Sequence, residues 1–154
     1  MKSLYLRDSE ETQKIGYKIG ALIPKGSLVL LSGTLGTGKS TLCQGIAKGL
    51  GHTVQISSPS FTLLNTYTQK HAKAVLNHLD FYNIENLEHL ERIGIYDVLE
   101  AEDNVCLIEW WEKFPEVTQG LPALKLQLKL EGEGRRLDWV DELNLSQEIF
   151  AERI

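Results

Sequence analysis

The sequence predicts an α/β fold built on a mixed central sheet with helices on both faces. Residues 28–31 form an unbroken apolar run that passes through a glycine-rich loop into a helical pattern, the order of a buried parallel strand and its crossover helix. Residues 105–108 form a second apolar run, typical of another buried strand. Residues 124–130 alternate apolar and polar side chains and turn back near Gly132, which predicts an antiparallel C-terminal hairpin with one buried face.

Periodicity and turn residues place two elements before the glycine-rich loop. A short alternating strand is predicted over residues 3–6, followed by a helix that ends near Leu22 and before Pro24. Ser9 and Thr12 are the predicted capping residues, with contact to a nucleotide as the alternative. The apolar face of this helix is predicted to consist of Ile15, Ile19 and Leu22.

The middle of the chain predicts a second hairpin and two short helices. Residues 63–67 and 74–80 have strand composition and flank a polar turn. Residues 83–99 favour helix but are interrupted at Gly94. A last helix is expected over residues 146–152.

Length, charge and cysteine use limit the class of protein. A chain of 154 residues with 42% hydrophobic content predicts one domain over residues 1–154, and a net charge of -5 argues against a direct grip on nucleic acid. Cys43 and Cys106 have no paired spacing and are interpreted as core residues in a reducing compartment. No apolar run approaches the ~18 residues of a membrane span, so we expect a cytoplasmic protein.

The loop from Gly33 to Ser40 has the spacing G-x-x-x-x-G-K-S between a predicted strand and a predicted helix. Glycines let successive backbone N–H groups point inward, and the helix N-terminus adds partial positive charge where a polyphosphate would sit. Lys39 would reach the β- and γ-phosphates, and the Ser40 hydroxyl would ligate Mg²⁺. The loop between a buried strand and a helix predicts a three-layer sandwich like that of P-loop NTPases. The alternative is a plain turn with a solvated lysine. The predicted nucleotide-binding residues of this segment are Gly36, Thr37, Gly38, Lys39, Ser40 and Thr41.

Two acids stand at predicted strand ends. Glu109 follows the apolar run 105–108, the form of a Walker B strand, and is predicted to hold Mg²⁺ and to orient the attacking water; the alternative is an ordinary surface acid. Asp80 ends the strand 74–80, where carboxylates of open α/β sheets face the ligand crevice. His78 shares a face with Asp80 and is interpreted as a satisfied, half-buried histidine, with a catalytic role as the less favoured alternative.

Three further segments leave two interpretations open. The hydroxyl-rich residues 56–62 indicate either a plain turn or a segment that responds to the γ-phosphate. Of Trp110 and Trp111, at least one is expected in the core and the other at a partner surface. Arg135 and Arg136 at the hairpin turn are interpreted as solvated, the alternative being contact with a nucleotide phosphate or a partner.

The order of these segments resembles the TsaE (formerly YjeE) ATPases of bacterial tRNA threonylcarbamoyladenosine synthesis. The resemblance covers most of the chain, and its later segments are more restrictive than the P-loop. The segments are Ser9-Glu10-Glu11-Thr12, Gly33 to Thr41, Ser58-Pro59-Ser60-Phe61-Thr62-Leu63, His78-Leu79-Asp80-Phe81-Tyr82, Ile108-Glu109-Trp110 and Gly132-Glu133-Gly134-Arg135.

The resemblance implies ATP hydrolysis with Mg²⁺. In such an enzyme Lys39, Asp80 and Glu109 are the catalytic residues, with Ser40 and Glu109 at the metal, and Thr12 and Arg135 line the nucleotide site. The implied partners are the proteins TsaB and TsaD, with tRNA engaged only indirectly and ATP turnover resetting their complex.

The sequence departs from the family pattern at a few positions. Thr34, Thr37 and Ser40 stand where Asp, Ala and Thr are usual, and Ser60 replaces a Thr. Asn83 stands where an arginine is typical, and it lacks the charge with which an arginine would contact an anion or a partner. None of these departures removes a predicted catalytic group.

Two other functions are weighed against a partner-stimulated ATPase. One is a nucleotide-gated adaptor that binds ATP or ADP without useful turnover. The other is a small-molecule kinase, which is less favoured because none of the five arginines falls in a predicted lid between helices. The absence of an Asn-Lys-x-Asp segment argues mildly against a GTPase.

Overall fold

The computed structural model describes residues 2–34, 36–59 and 62–150. Over these residues the chain forms seven strands: β1 (Lys2–Leu6), β2 (Leu28–Ser32), β3 (Leu64–Tyr67), β4 (Val75–Asp80), β5 (Asn104–Glu109), β6 (Leu124–Glu131) and β7 (Gly134–Asp141). They make one sheet in the order β1-β7-β6-β2-β5-β4-β3. The four middle strands are parallel, whereas β1, β7 and β3 pair antiparallel with their neighbours. The predicted mixed sheet and both predicted hairpins are therefore confirmed.

Five helices connect or follow the described strands: α1 (Ser9–Leu22), α2 (Lys39–Gly49), α3 (Leu87–Arg92), α4 (Ile95–Glu100) and α5 (Ser146–Phe150). Gly94 separates α3 from α4 with φ 75°, in the left-handed region that favours glycine, as the sequence predicts. Two 3-10 turns, Trp111–Lys113 and Pro115–Val117, follow β5. Among the helices described, none is long and apolar enough to cross a membrane.

The sheet separates two hydrophobic cores, which confirms the predicted three layers. Side chains alternate along β2, so that Val29 and Leu31 pack under α1 and α2 while Leu28 and Leu30 pack on the side of α3 and α4. All five residues of β2 are buried, as expected of a strand in the middle of a parallel sheet. Cys43 and Cys106 are buried free thiols, one in each core, so their interpretation as core residues is confirmed.

Helices α1 and α2 pack together through glycines on both sides. A Cβ placed on Gly20 would lie 2.1 Å from the carbonyl oxygen of Ile46, and one placed on Gly49 would lie 2.2 Å from that of Tyr17. Gly16 and Gly45 make the same kind of approach one turn earlier in each helix. The two helices therefore run side by side in the same direction, with the start of α1 next to the start of α2.

Details at the ends of elements differ from the prediction. Asp8 caps α1 in place of Ser9 or Thr12, since its Oδ1 accepts from the Glu11 N–H at 3.0 Å. Leu22 is 37% exposed and Ile23 occupies the core instead, because the chain becomes extended at Ile23.

The ends of the C-terminal region also differ. Leu130 is 63% exposed, because β6 runs past the core towards the Gly132 turn and the buried face of the hairpin ends at Leu128. Helix α5 is described to Phe150, and residues 151–152 of the predicted last helix lie outside the described residues.

We expect Gly20→Ala to destabilise the protein by about 2 kcal/mol, the usual cost of forcing a methyl group into a packed interface. Urea denaturation followed by circular dichroism measures this free energy of unfolding. Lys14→Ala is the control on the same helix, because Lys14 takes part only in an exposed ion pair with Glu10, and such pairs contribute about 0.5 kcal/mol. Equal stability of the two variants would contradict the close contact of α1 and α2.

Candidate functional site

The glycine-rich loop leads from β2 directly into α2. Gly38 is the N-cap residue of α2 and has φ 99°, in the left-handed region that favours glycine because it has no side chain. The Thr37 hydroxyl donates to the Thr34 carbonyl oxygen at 2.8 Å and so closes the loop on itself. The first-turn amides of α2 have no carbonyl of a preceding turn to bond, which leaves donors and partial positive charge at this point.

A cavity of about 610 Å³ opens in front of this loop. Gly36, Gly38, Lys39 and Ser40 line one side, and Asp80 and Glu109 lie at the ends of β4 and β5 on another. The two acids are directly opposite each other in the parallel register of β4 and β5. The remaining lining residues are Ser58, Tyr82, Asn83, Trp110 and Arg135.

Two cations face the cavity without a carboxylate partner in the described part of the chain. Lys39 is 8% exposed, and its Nζ lies 4.4 Å from the centre of the Trp110 ring, a cation–π contact. Arg135 lies over the loop, since a Cβ on Gly38 would come within 2.7 Å of its Nη1. The Arg135 Nε is buried and has no hydrogen-bond acceptor among the described residues. A buried cation without a counter-ion is costly, and an anionic ligand would relieve that cost.

The two acids are held by neighbouring backbone and side chains. Asp80 Oδ1 accepts from the Tyr82 N–H at 2.9 Å, and the Phe81 N–H donates to the Glu109 carbonyl oxygen at 3.0 Å. Burial, followed by the charge of Glu109, raises the pKa of Asp80 above its usual value. Mg²⁺ prefers carboxylate, hydroxyl and phosphate oxygens, so Ser40, Asp80 and Glu109 fit the requirements of such an ion.

Glu109 also has a partner behind the cavity. His78 Nε2 lies 2.7 Å from Glu109 Oε2, and both side chains are buried. Ligand atoms of Cys43, His78 and Glu109 lie within 4.8 Å of one another. Burial raises the pKa of the Cys43 thiol well above its usual value, which keeps the sulfur protonated in the metal-free protein.

The rim of the cavity is built from the segments that follow β4 and β5. Lys113 Nζ donates to the carbonyl oxygens of Tyr82 and Ile84, at 2.7 Å each, and ties the two segments together. Trp110 has φ 56°, in the left-handed region, a conformation that is strained for a bulky residue. The centres of the Trp110 and Tyr82 rings are 4.9 Å apart.

Known proteins share the sequence pattern and the fold of this chain. The family model described as "Threonylcarbamoyl adenosine biosynthesis protein TsaE" matches residues 6–137. The chain belongs to the TsaE family. A "tRNA threonylcarbamoyladenosine biosynthesis protein TsaE" of Nostoc is 42% identical, with 75% of this chain and 71% of the relative covered. The protein of the same name from Treponema pallidum is 36% identical, with 84% of this chain and 93% of the relative covered. That from Haemophilus influenzae is 31% identical, with 98% of both chains covered.

A solved structure shows the same fold. The crystal structure of YdiB from Bacillus subtilis superposes with a TM-score of 0.71 at 25% sequence identity, covering 96% of this chain and 90% of YdiB. The predicted family and the predicted α/β fold of this TsaE protein are thereby confirmed.

The structure brings most of the predicted site residues of this TsaE protein together, but three do not line the cavity. Thr12 is fully buried and its hydroxyl donates to the Asp8 carbonyl oxygen at 3.1 Å. Thr37 is buried inside the loop, and Thr41 belongs to the first turn of α2. Their side chains shape the loop and the helix start, whereas the backbone of the loop faces the cavity.

Some residues in and around the site differ from what local sequence pattern indicates. His78 is almost fully buried rather than half-buried, and it contacts Glu109. Arg135 lies at the loop, where the resemblance places it, rather than in solvent as local pattern indicates, while Arg136 pairs with Asp138 and Glu131. Trp110 and Trp111 are both half-buried against the core on the side of α3 and α4, so neither is a fully buried core residue. Tyr82 carried no signal in the sequence beyond its place in the His-Leu-Asp-Phe-Tyr segment.

The raised pKa of Asp80 gives a prediction on the ligand-free protein. When folding raises the pKa of a carboxyl group, the free energy of unfolding of the protein decreases as the pH increases towards that raised pKa. Ionised Asp80 therefore lowers the stability of the folded protein at neutral pH. We expect Asp80→Asn, which keeps an oxygen for the Tyr82 N–H, to have a higher free energy of unfolding than the natural protein at pH 7.

Urea denaturation at a series of pH values measures the effect. The advantage should disappear as the pH falls below about 3.9, the ordinary aspartate pKa, because both the folded and the unfolded form then take up the proton. Asp97→Asn, at an exposed position of α4, is the control and should show no such trend. An Asp80→Asn variant that is less stable at pH 7 than at pH 3.5, relative to the natural protein, would contradict the assignment.

Proposed function

We propose that this TsaE protein is a Mg²⁺-dependent ATPase of tRNA threonylcarbamoyladenosine synthesis that acts on a complex of TsaB and TsaD. Membership of the TsaE family supports the pathway. The observation that carries the activity is the cavity in which Lys39 and Arg135, which have no carboxylate partner among the described residues, face the buried acids Asp80 and Glu109. That charge pattern suits a polyphosphate bound together with a divalent cation.

The residues divide the work of hydrolysis between them. Amides of the loop and the first turn of α2 bind the phosphates, and Lys39 moves from the Trp110 ring onto them. Arg135 contacts phosphate oxygens from the opposite side of Gly38 and stabilises the charge that develops there. Mg²⁺, when bound, would be held by Ser40 and Glu109 with Asp80 nearby and would neutralise phosphate charge. Glu109 orients the attacking water.

The partners enter through the surface of the same site. The cavity is open at a rim formed by Tyr82, Asn83 and Trp110, and Tyr82 is 50% exposed. A TsaB–TsaD complex that contacts this rim would sense whether nucleotide has drawn Lys39 away from Trp110. In this proposal tRNA is engaged only through the partners, in keeping with the net charge of -5. Turnover then resets the complex.

Lys39→Ala should weaken ATP binding at least about 30-fold, because truncating one member of a buried charge contact costs 2 kcal/mol or more. Isothermal titration calorimetry with ATP and Mg²⁺ measures the affinity. Lys48→Ala, at an exposed position of the same helix, is the control and should bind as the natural protein does. Unchanged affinity of Lys39→Ala would place the nucleotide elsewhere.

Glu109→Ala should reduce ATP turnover about 100-fold or more, while ATP still binds, because a group that positions or activates the attacking water contributes on that scale. Turnover is measured with and without TsaB and TsaD, and Glu112→Ala is the control at an exposed acid. Negligible turnover by the natural protein under both conditions would overturn the ATPase.

The same variants separate turnover from nucleotide binding alone. If threonylcarbamoyladenosine persists in cells that carry Glu109→Ala but is lost with Lys39→Ala, the protein acts as a nucleotide-gated adaptor. Loss of the modification in both variants supports hydrolysis as part of the function.

A further inference from the structure

His78 contacts Glu109 from behind the cavity, with 2.7 Å between His78 Nε2 and Glu109 Oε2. The imidazole is 2% exposed and lies on the same face of β4 as Asp80, two residues away. Leu76 precedes it on that face, and Leu107 stands opposite it on β5. A polar ring in an apolar layer is costly unless it is hydrogen-bonded, and Glu109 supplies that bond.

The geometry indicates which proton makes the contact. His78 Nδ1 is buried and has no hydrogen-bond partner in the described part of the chain. A ring nitrogen that carries a proton without an acceptor costs more than a bare one, so the neutral ring carries its proton on Nε2 and donates it to Glu109 Oε2. One oxygen of Glu109 is thereby held at 2.7 Å from His78 Nε2, while the residue lines the cavity.

We propose that His78 is a positioning residue, which fixes the Glu109 carboxylate so that its second oxygen meets the metal and the attacking water of the nucleotide site. This inference rests on the proposed ATPase function. Groups behind a metal ligand set its orientation, and losing them typically costs 10–100-fold in metal affinity or activity. His78 acts through Glu109 and touches no phosphate itself.

The test compares His78→Leu with His78→Gln, whose amide nitrogen restores a donor near the position of Nε2. His52→Leu is the matched control, since His52 is also buried, also has one ring nitrogen bonded at 2.8 Å, to the Ala74 carbonyl oxygen, and also leaves Nδ1 without a partner. Melting temperatures of all three variants show how much each loss of a buried imidazole weakens the fold.

Two measurements report on Glu109. The first is the affinity of the protein–ADP complex for Mn²⁺, read by electron paramagnetic resonance, together with ADP affinity in the absence of any divalent cation. The second is kcat for ATP with TsaB and TsaD. His78→Leu should lower Mn²⁺ affinity and kcat about 10-fold or more each and leave metal-free ADP affinity within about threefold, and His78→Gln should recover most of both losses.

His52→Leu should lower the melting temperature without changing Mn²⁺ affinity or kcat. The proposal is overturned if His78→Leu keeps Mn²⁺ affinity and kcat within threefold of the natural protein, or if His52→Leu reduces them equally. If the natural protein itself neither binds Mn²⁺ with ADP nor hydrolyses ATP, the proposed ATPase function is overturned. Failure of the positioning role alone would leave both properties of the natural protein intact.

Discussion

The site depends on the parallel register of three neighbouring strands. Leu31 of β2 stands opposite Glu109 of β5, and Glu109 stands opposite Asp80 of β4, so the three strands end at one level of the sheet. Parallel strands bring the loops that follow them to the same edge, and the glycine-rich loop, the Tyr82 segment and the Trp110 segment therefore converge there. Without this register the acids and the loop would have no common cavity.

A second constraint fixes where α2 begins. Backbone of α1 and α2 touches through glycines, with Gly16 and Gly20 on one helix and Gly45 and Gly49 on the other. Lys73 donates to the carbonyl oxygens of Gly20 and Ala21 and closes the end of α1. Because their backbones are in contact, α1 and α2 have little freedom to slide along each other, so the first turn of α2 is held next to the glycine-rich loop.

The sequence was sufficient for the features that depend on local pattern. The apolar run of β2, the alternation in β6 and the spacing of Gly33, Gly38 and Lys39 each encode a local conformation, and the elements follow as predicted. The acids at strand ends were found for the same reason. The resemblance to TsaE added Thr12 and Arg135, which local pattern alone left as a cap and a solvated side chain.

The features that the sequence could not give are contacts through space. Arg135 follows a two-residue turn at the far end of the chain, and only the pairing of β7 with β1 and β6 brings it over Gly38. The partner of His78 stands on another strand, 31 residues away. Leu22 and Leu130 were assigned to the core because periodicity does not mark where a helix or hairpin runs beyond it.

The cavity combines features that weaken a ligand-free fold. Asp80 is buried with a raised pKa, Lys39 has an aromatic ring in place of a counter-ion, and Trp110 is held in the left-handed region. Each of these is unfavourable by itself, and a polyanion bound together with a divalent cation would offset the cost of the buried charges. A ligand that removes such costs stabilises the folded state by mass action. In the proposed function, this binding energy would reorganise the contact between Lys39 and Trp110 at the rim, where a partner protein would detect the change.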